Sequence, residues 1–278
     1  MSKISYNEII IALCLSMLIY NYNEYDYFII EDGQQLSDFH KMIDYHFNIH
    51  QREALNYLYN KCPDGKIIKF IDDDHTDLQC AIIVSDDKKK INIVFRGTDS
   101  FTDCFYDSLC CKTYVELENN INMGIHTGFY KQFKYIHDQI IDIIKEYIKK
   151  DYEIYITGHS LAHALSVLLS YFIADLTTKT IKIITFGGPK IGNYEWKKNY
   201  ELKKNLLLYR ITNDRDIIPT IPYFNYYHVG THIHLTKKNI ELENNYNYCF
   251  HNIIDHSIIN YYNNFFGREE CYNNIIYK

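Results

Sequence analysis

Between Ile154 and Leu176 the chain has to change conformation almost at once. Ile154–Thr157 is an apolar, β-rich run, Leu161–Leu176 is an apolar segment that suits a helix, and only Gly158-His159-Ser160 separates them. A strand that becomes a helix over so few residues needs a sharp turn, and a serine stands at its apex. Such a turn exposes the serine oxygen. It also leaves the amide of Leu161 at the helix N-terminus, where it can donate to a developing negative charge. A serine hydroxyl becomes a useful nucleophile only when a base takes its proton. The rest of the chain must therefore supply a base, an orienting acid and a second oxyanion donor. In the usual pattern G-x-S-x-G the last position is glycine; here it is Ala162, followed by the bulky His163.

A length of 278 residues suits one large α/β domain. The formal net charge of -6 gives no electrostatic footprint for nucleic acid. The eight cysteines show no C-x-x-C spacing, and Cys110 and Cys111 are adjacent, which suits neither a zinc site nor a disulfide framework. Free thiols in a reducing compartment follow, so a cytoplasmic location is favoured over secretion. The apolar run Ile9–Tyr20 is shorter than the roughly 20 residues a bilayer span needs. Glu8 interrupts its start and no small-x-small site follows, so it reads as a helix and not as a leader. Ser5-x-x-Glu8 is a capping box that would open that helix.

A second helical stretch is expected over Ser37–Asn60, stopped by Cys62-Pro63-Asp64-Gly65. Strands are expected at Ile67–Ile71, Ala81–Ser85 and Ile91–Phe95, the last two joined as a hairpin through residues 86–90. Thr98–His126 reads as irregular, and Gly128–Lys150 as an amphipathic helix. Beyond the serine turn come strands at Ile181–Phe186, Leu206–Ile211 and Gly230–Leu235 and a helix at Ile258–Phe265. Helices alternating with short apolar strands predict an α/β fold with a central, mixed and mainly parallel sheet. Residues 1–278 would form one domain, with residues 1–65 a helical extension packed on it. In such sheets chemistry gathers at the carboxyl ends of the strands.

Asn213-Asp214-Arg215-Asp216 follows directly on a strand, which brings a carboxylate near the turn. Asp216 is preferred to Asp214, because Ile217-Ile218-Pro219 could bury it beside an imidazole; a turn aspartate or helix cap is the competing reading. Thirteen histidines make the base harder to choose. His159 adjoins the serine but should point away from it. His232-x-His234 could place two ligands on one strand face, yet no third ligand accompanies them, and a structural role outweighs metal binding. His256 is preferred, since Ser, Asp, His is the chain order this geometry takes on such a turn. A second oxyanion donor suits Thr98, at the end of the strand closing in Phe95-Arg96-Gly97.

With these pieces in order, the chain resembles the class 3 lipase family, the fungal-lipase-like α/β hydrolases. The matching stretches are Phe95-Arg96-Gly97-Thr98-Asp99-Ser100, Asp103 to Asp107, and His126-Thr127-Gly128-Phe129. They continue with Gly158-His159-Ser160-Leu161, Thr185 to Asn193, Asn213 to Pro219, and Asp255-His256 followed by a tyrosine. Together they run from about Ile91 to Tyr261. Carried over, the resemblance implies the α/β-hydrolase fold and ester hydrolysis through an acyl-enzyme. Ser160 would be nucleophile, Asp216 orienting acid, His256 base, and Thr98 and Leu161 oxyanion donors.

No metal or organic cofactor is implied. The substrate would be a lipid or other ester. A mobile cover is implied over Asp99–Ile125, where Phe101, Phe105, Tyr106 and Leu109 are apolar enough to face an acyl chain, a membrane surface or a lipid droplet; a packed satellite cluster is the competing reading. The departures from the family are Ala162 and His163, where small residues are preferred, and Cys104 in place of a tryptophan. They motivate the alternative, a catalytically silent lipid-binding or scaffold protein that kept the fold.

Overall fold

The computed structural model describes residues 3–22, 28–42, 47–73, 77–97, 111–116, 122–242 and 252–277. Its centre is an eight-stranded sheet. Three antiparallel strands begin it: β1 (Lys66–Asp73), β2 (Leu78–Ser85) and β3 (Lys90–Phe95). A short antiparallel hairpin, β4 (Lys112–Glu116) with β5 (Asn122–His126), stands apart from the sheet. From β3 onward the sheet continues in parallel through β6 (Glu153–His159), β7 (Ile181–Phe186), β8 (Leu206–Asn213) and β9 (Thr231–Leu235). An antiparallel edge strand, β10 (Ile240–Leu242), closes it. The apolar runs in β6 and β7 fit strands covered on both faces.

One face is covered by α4 (Thr127–Lys149), α5 (Leu161–Ile173) and α6 (Tyr194–Leu202), whose apolar stripes join a single core with the strands. Phe129, Phe133, Ile136, Ile140 and Ile144 form the buried stripe of α4 at helical spacing. The opposite face is covered by α1 (Tyr6–Tyr20), α2 (Leu36–Lys41), α3 (Ile49–Lys61), α7 (Ile258–Phe265) and α8 (Glu269–Ile276). Helix α1 opens with a capping box: Ser5 accepts from the Glu8 amide, and the Glu8 carboxylate accepts from the Ser5 amide at 2.7 Å. It is buried on almost every side, which is why its sequence is apolar without a stripe. Among the described residues no helix is long and apolar enough to cross a membrane.

Two expectations need correction, and α6, α8 and β10 have no counterpart among the expected elements. Ser37–Asn60 is not one helix: Asn48 and Gln51 form a capping box that starts α3 afresh. Thr98–His126 contains the β4–β5 hairpin, whose polar strands give little periodic signal. Helix α6 carries four charged residues on its outer side and buries only Trp196, Asn199 and Tyr200. Helix α8 buries only Tyr272 and Ile276 and extends the chain's regular structure past the last expected helix, while β10 adds a short edge strand ahead of that helix. Most of the expected cover, Asp99–Ile125, lies outside the described residues, as does Thr98.

Candidate active site

Ser160 sits between the end of β6 and the start of α5 with φ 62° and ψ -128°, a conformation an L-residue adopts only under constraint. Its amide donates to the Phe186 carbonyl at 2.9 Å, which ties the turn to β7. Close packing permits this sharpness. A Cβ on Gly158 would lie 2.5 Å from the Ala162 Cβ, so glycine at 158 accommodates the methyl group that replaces the usual second glycine.

His163 is accommodated in the same way. A Cβ on Gly188 would lie 1.9 Å from its Cγ, so the ring fills space that Gly188 leaves open. Its Nδ1 meets the Thr185 hydroxyl at 2.8 Å. Burial, and then the nearby Arg210 charge, push its pKa down to about 3, so the ring is neutral. The two departures at this turn, Ala162 and His163, are therefore each packed into space left by a glycine.

The elements that follow bring the other candidates to Ser160. Asp216 lies at the carboxyl end of β8 and is fully buried. Asp214, the competing carboxylate, occupies a left-handed turn position with φ 40°. His256 ends a 3-10 turn, Ile254–His256, just before α7. The Asn213 side chain fastens that turn to β8 by donating to the Asp255 carbonyl at 2.9 Å. His256 Nδ1 lies 2.8 Å from Asp216 Oδ2, and His256 Nε2 lies 2.8 Å from Ser160 Oγ. A carboxylate only accepts, so Nδ1 carries the proton of the neutral ring and Nε2 is left to accept from the serine. Leu161 begins α5, and its amide has no acceptor within the helix. The arrangement can take a proton from Ser160, hold the resulting imidazolium against a buried carboxylate, and offer an amide to an oxyanion.

Three further residues escape sequence reasoning. The Tyr261 hydroxyl donates to Asp216 Oδ2 at 2.6 Å. His159 does turn away from the serine oxygen, but its Nε2 donates to the His256 carbonyl at 2.6 Å. The Tyr20 hydroxyl meets His159 Nδ1 at 2.9 Å. Tyr261 closes the last matched motif, which is a usable signal; nothing in the sequence points to Tyr20. His232 and His234 both bind the Thr212 hydroxyl, at 2.8 Å each, in a structural pairing. Among the described residues no group of three or more His, Cys, Asp or Glu could hold a metal ion.

Residues 92–226 match the family model described as lipase (class 3). They belong to the class 3 lipase family. The chain is similar to a lipase of Rhizopus niveus, with 28% identity over 176 residues that make up 60% of this chain and 44% of that one. It is also similar to the secreted mono- and diacylglycerol lipase A of Penicillium cyclopium, with 26% identity over 176 residues, 61% of this chain and 56% of that one. The chain thus spans about half the length of these curated relatives. The solved structure of lipase II from Rhizopus niveus superposes with a TM-score of 0.66 at 22% identity, covering 90% of each chain. The fold is the α/β-hydrolase fold of the fungal lipases.

The preference for a cytoplasmic location does not survive this comparison, because the similar Penicillium cyclopium lipase is named as secreted. It rested on the reading of Ile9–Tyr20 as a helix and not a leader, and on unpaired cysteines, which are poor reporters of compartment here. Cys14 and Cys80 are fully buried, and burial raises their thiol pKa values, so they resist oxidation in any surroundings.

Proposed function

We propose that this chain is a serine hydrolase of carboxylic esters of lipids, of the triacylglycerol lipase, phospholipase or lysophospholipase type. The observation that carries the reading is the continuous chain of contacts from Asp216 through His256 to Ser160, each 2.8 Å long. In this reading His256 Nε2 takes the Ser160 proton and the oxygen attacks the ester carbonyl. Asp216 stabilises the imidazolium. The amides of Leu161 and Thr98 hold the tetrahedral oxyanion, where losing one donor typically costs about 10²–10³ in turnover. His256 then protonates the leaving alcohol, and water repeats the sequence on the acyl-Ser160 ester. Lipid esters are the favoured substrates because the relatives are named as lipases. Residues 1–65 would act as a helical extension of a single domain over residues 1–278, a reading favoured by the burial of α1 against the sheet.

The test is hydrolysis of p-nitrophenyl butyrate and p-nitrophenyl palmitate by the purified protein beside Ser160→Ala. Turnover present in the parent and absent from the variant is the expected result, and the ratio of the two esters separates short-chain from long-chain preference. A folded parent without turnover on either ester would overturn the reading.

A further inference from the structure

We propose that Tyr20, the last residue of α1, is a positioning residue for the base, acting through the ring of His159. The inference rests on the triad reading above and adds a residue from the N-terminal helix, outside the matched family region.

His159 is buried and both of its ring nitrogens are engaged: Nε2 with the His256 carbonyl at 2.6 Å, Nδ1 with the Tyr20 hydroxyl at 2.9 Å. A carbonyl oxygen only accepts, so Nε2 must carry the proton. Burial, and then the proximity of His256, hold the ring neutral by pushing its pKa well below the ordinary histidine value. A neutral imidazole has one N–H, and the Tyr20 hydroxyl, by donating to Nδ1, keeps that proton on Nε2. Without it the other tautomer becomes available. It would set the Nε2 lone pair against the His256 carbonyl and release the turn from which the base hangs.

Two contacts widen the role. The rings of His159 and His256 lie 4.5 Å apart at 34°, so a tilt of one is felt by the other. On its far side the Tyr20 hydroxyl occupies space that Gly97 leaves open, since a Cβ there would lie 2.3 Å from it. The Arg96 guanidinium lies 5.7 Å from the Tyr20 ring centroid. The end of α1 thus packs against both the β3 terminus at Gly97 and the ring of His159.

The test combines kinetics on p-nitrophenyl butyrate with ¹H–¹⁵N spectra of histidine-labelled parent, Tyr20→Phe, His159→Leu and His159→Gln. The parent should show His159 protonated on Nε2. Tyr20→Phe should give mixed tautomers, displaced His256 resonances, and about a tenfold loss of kcat with KM held. His159→Leu should lose about 10²-fold, and His159→Gln, whose amide can reach the Nε2 position, should recover most of it. Parent kcat, parent pH–rate profile and an unchanged His159 tautomer in Tyr20→Phe would overturn the proposal. Equal impairment of His159→Gln and His159→Leu would also overturn it, because packing alone would then explain the ring. The spectra need no turnover. An inactive parent showing the expected tautomer and its response to Tyr20→Phe would overturn the hydrolase reading and support the positioning.

Discussion

The Tyr261 hydroxyl and the His256 ring donate to the same carboxylate oxygen of Asp216, at 2.6 and 2.8 Å. The other oxygen accepts from the Ile218 amide at 2.9 Å. Three donors from three positions therefore fix the plane of a fully buried carboxylate, and with it the direction in which the imidazole must point. Asp216→Asn would place an amide against Nδ1 and favour the wrong tautomer, so kcat should fall by about 10⁴. Tyr261→Phe leaves two of the donors in place, and its loss should stay near tenfold. The two kcat values, measured with KM on one ester, check this ranking; a larger loss for Tyr261→Phe would show that the tyrosine, and not His256, holds the carboxylate.

The altered turn makes a prediction about stability. Gly188→Ala forces a methyl group into the His163 ring and should cost about 1–3 kcal/mol. His163→Ala removes the bond to Thr185 and leaves a cavity, so it should also destabilise. The double variant should be better than the sum of the two, by about 1 kcal/mol or more, because each substitution removes the other's conflict. Urea midpoints of the four proteins give the coupling directly, and strict additivity would contradict the packing described.

Acid should unfold the protein through its buried histidines. Burial brings His163 down to about 3 and His234 to about 4, from an ordinary value of 6.5. Between those limits the unfolded chain binds protons that the folded chain refuses, so stability falls as pH drops below 6.5. Each such histidine contributes a slope of about 1.4 kcal/mol per pH unit while the difference lasts. His163→Asn can keep a bond to Thr185 without titrating, and should flatten the curve by one histidine's share. Thermal melts from pH 7 to 4 on both proteins measure it.

Far from the site, Glu8 joins α1 to the sheet. Its carboxylate accepts from Lys182 Nζ at 2.7 Å and from the Tyr155 hydroxyl at 2.6 Å, with side-chain exposures of 18% for Lys182 and 14% for Glu8. Burial opposes the charge, but these donors outweigh it and hold the carboxyl near a pKa of about 2, below its ordinary 4.5. Its contribution is therefore complete above pH 4.5 and is lost as pH falls toward 2. Lys182→Met strands a buried carboxylate and should cost about 3–5 kcal/mol at neutral pH, while Glu8→Gln with Lys182→Met should cost less. Chemical denaturation at pH 7 separates the two.

The parallel centre of the sheet was legible because β6 and β7 are apolar runs closed by turn residues, which burial on both faces requires. Helix α6 was not, since it shows only three residues to the core, nor was the β4–β5 hairpin, whose short strands mix polar and apolar residues without a clear alternation. Ser160 and Asp216 could be singled out as candidates because each follows directly on a strand, whereas His256 was preferred among thirteen histidines by chain order. Their supports could not. Tyr261 reaches Asp216 across 45 positions, His159 reaches His256 across 97, and Tyr20 reaches His159 across 139. No local periodicity encodes such pairs. They come from the order in which strands line up, which is a property of the assembled sheet.

Helix α1 is fastened to the far end of the chain: the Tyr6 hydroxyl donates to the Phe265 carbonyl across 259 positions, and the Tyr272 hydroxyl to the Ile4 carbonyl across 268. During synthesis this almost wholly apolar helix precedes the segments that cover it by most of the chain's length. At ribosomal rates of about 5–20 residues per second, the nascent chain carries that surface for many seconds before α7 and α8 exist to bury it. The apolar face that secures the finished molecule is thus, for that interval, its main opening to aggregation and to chaperones.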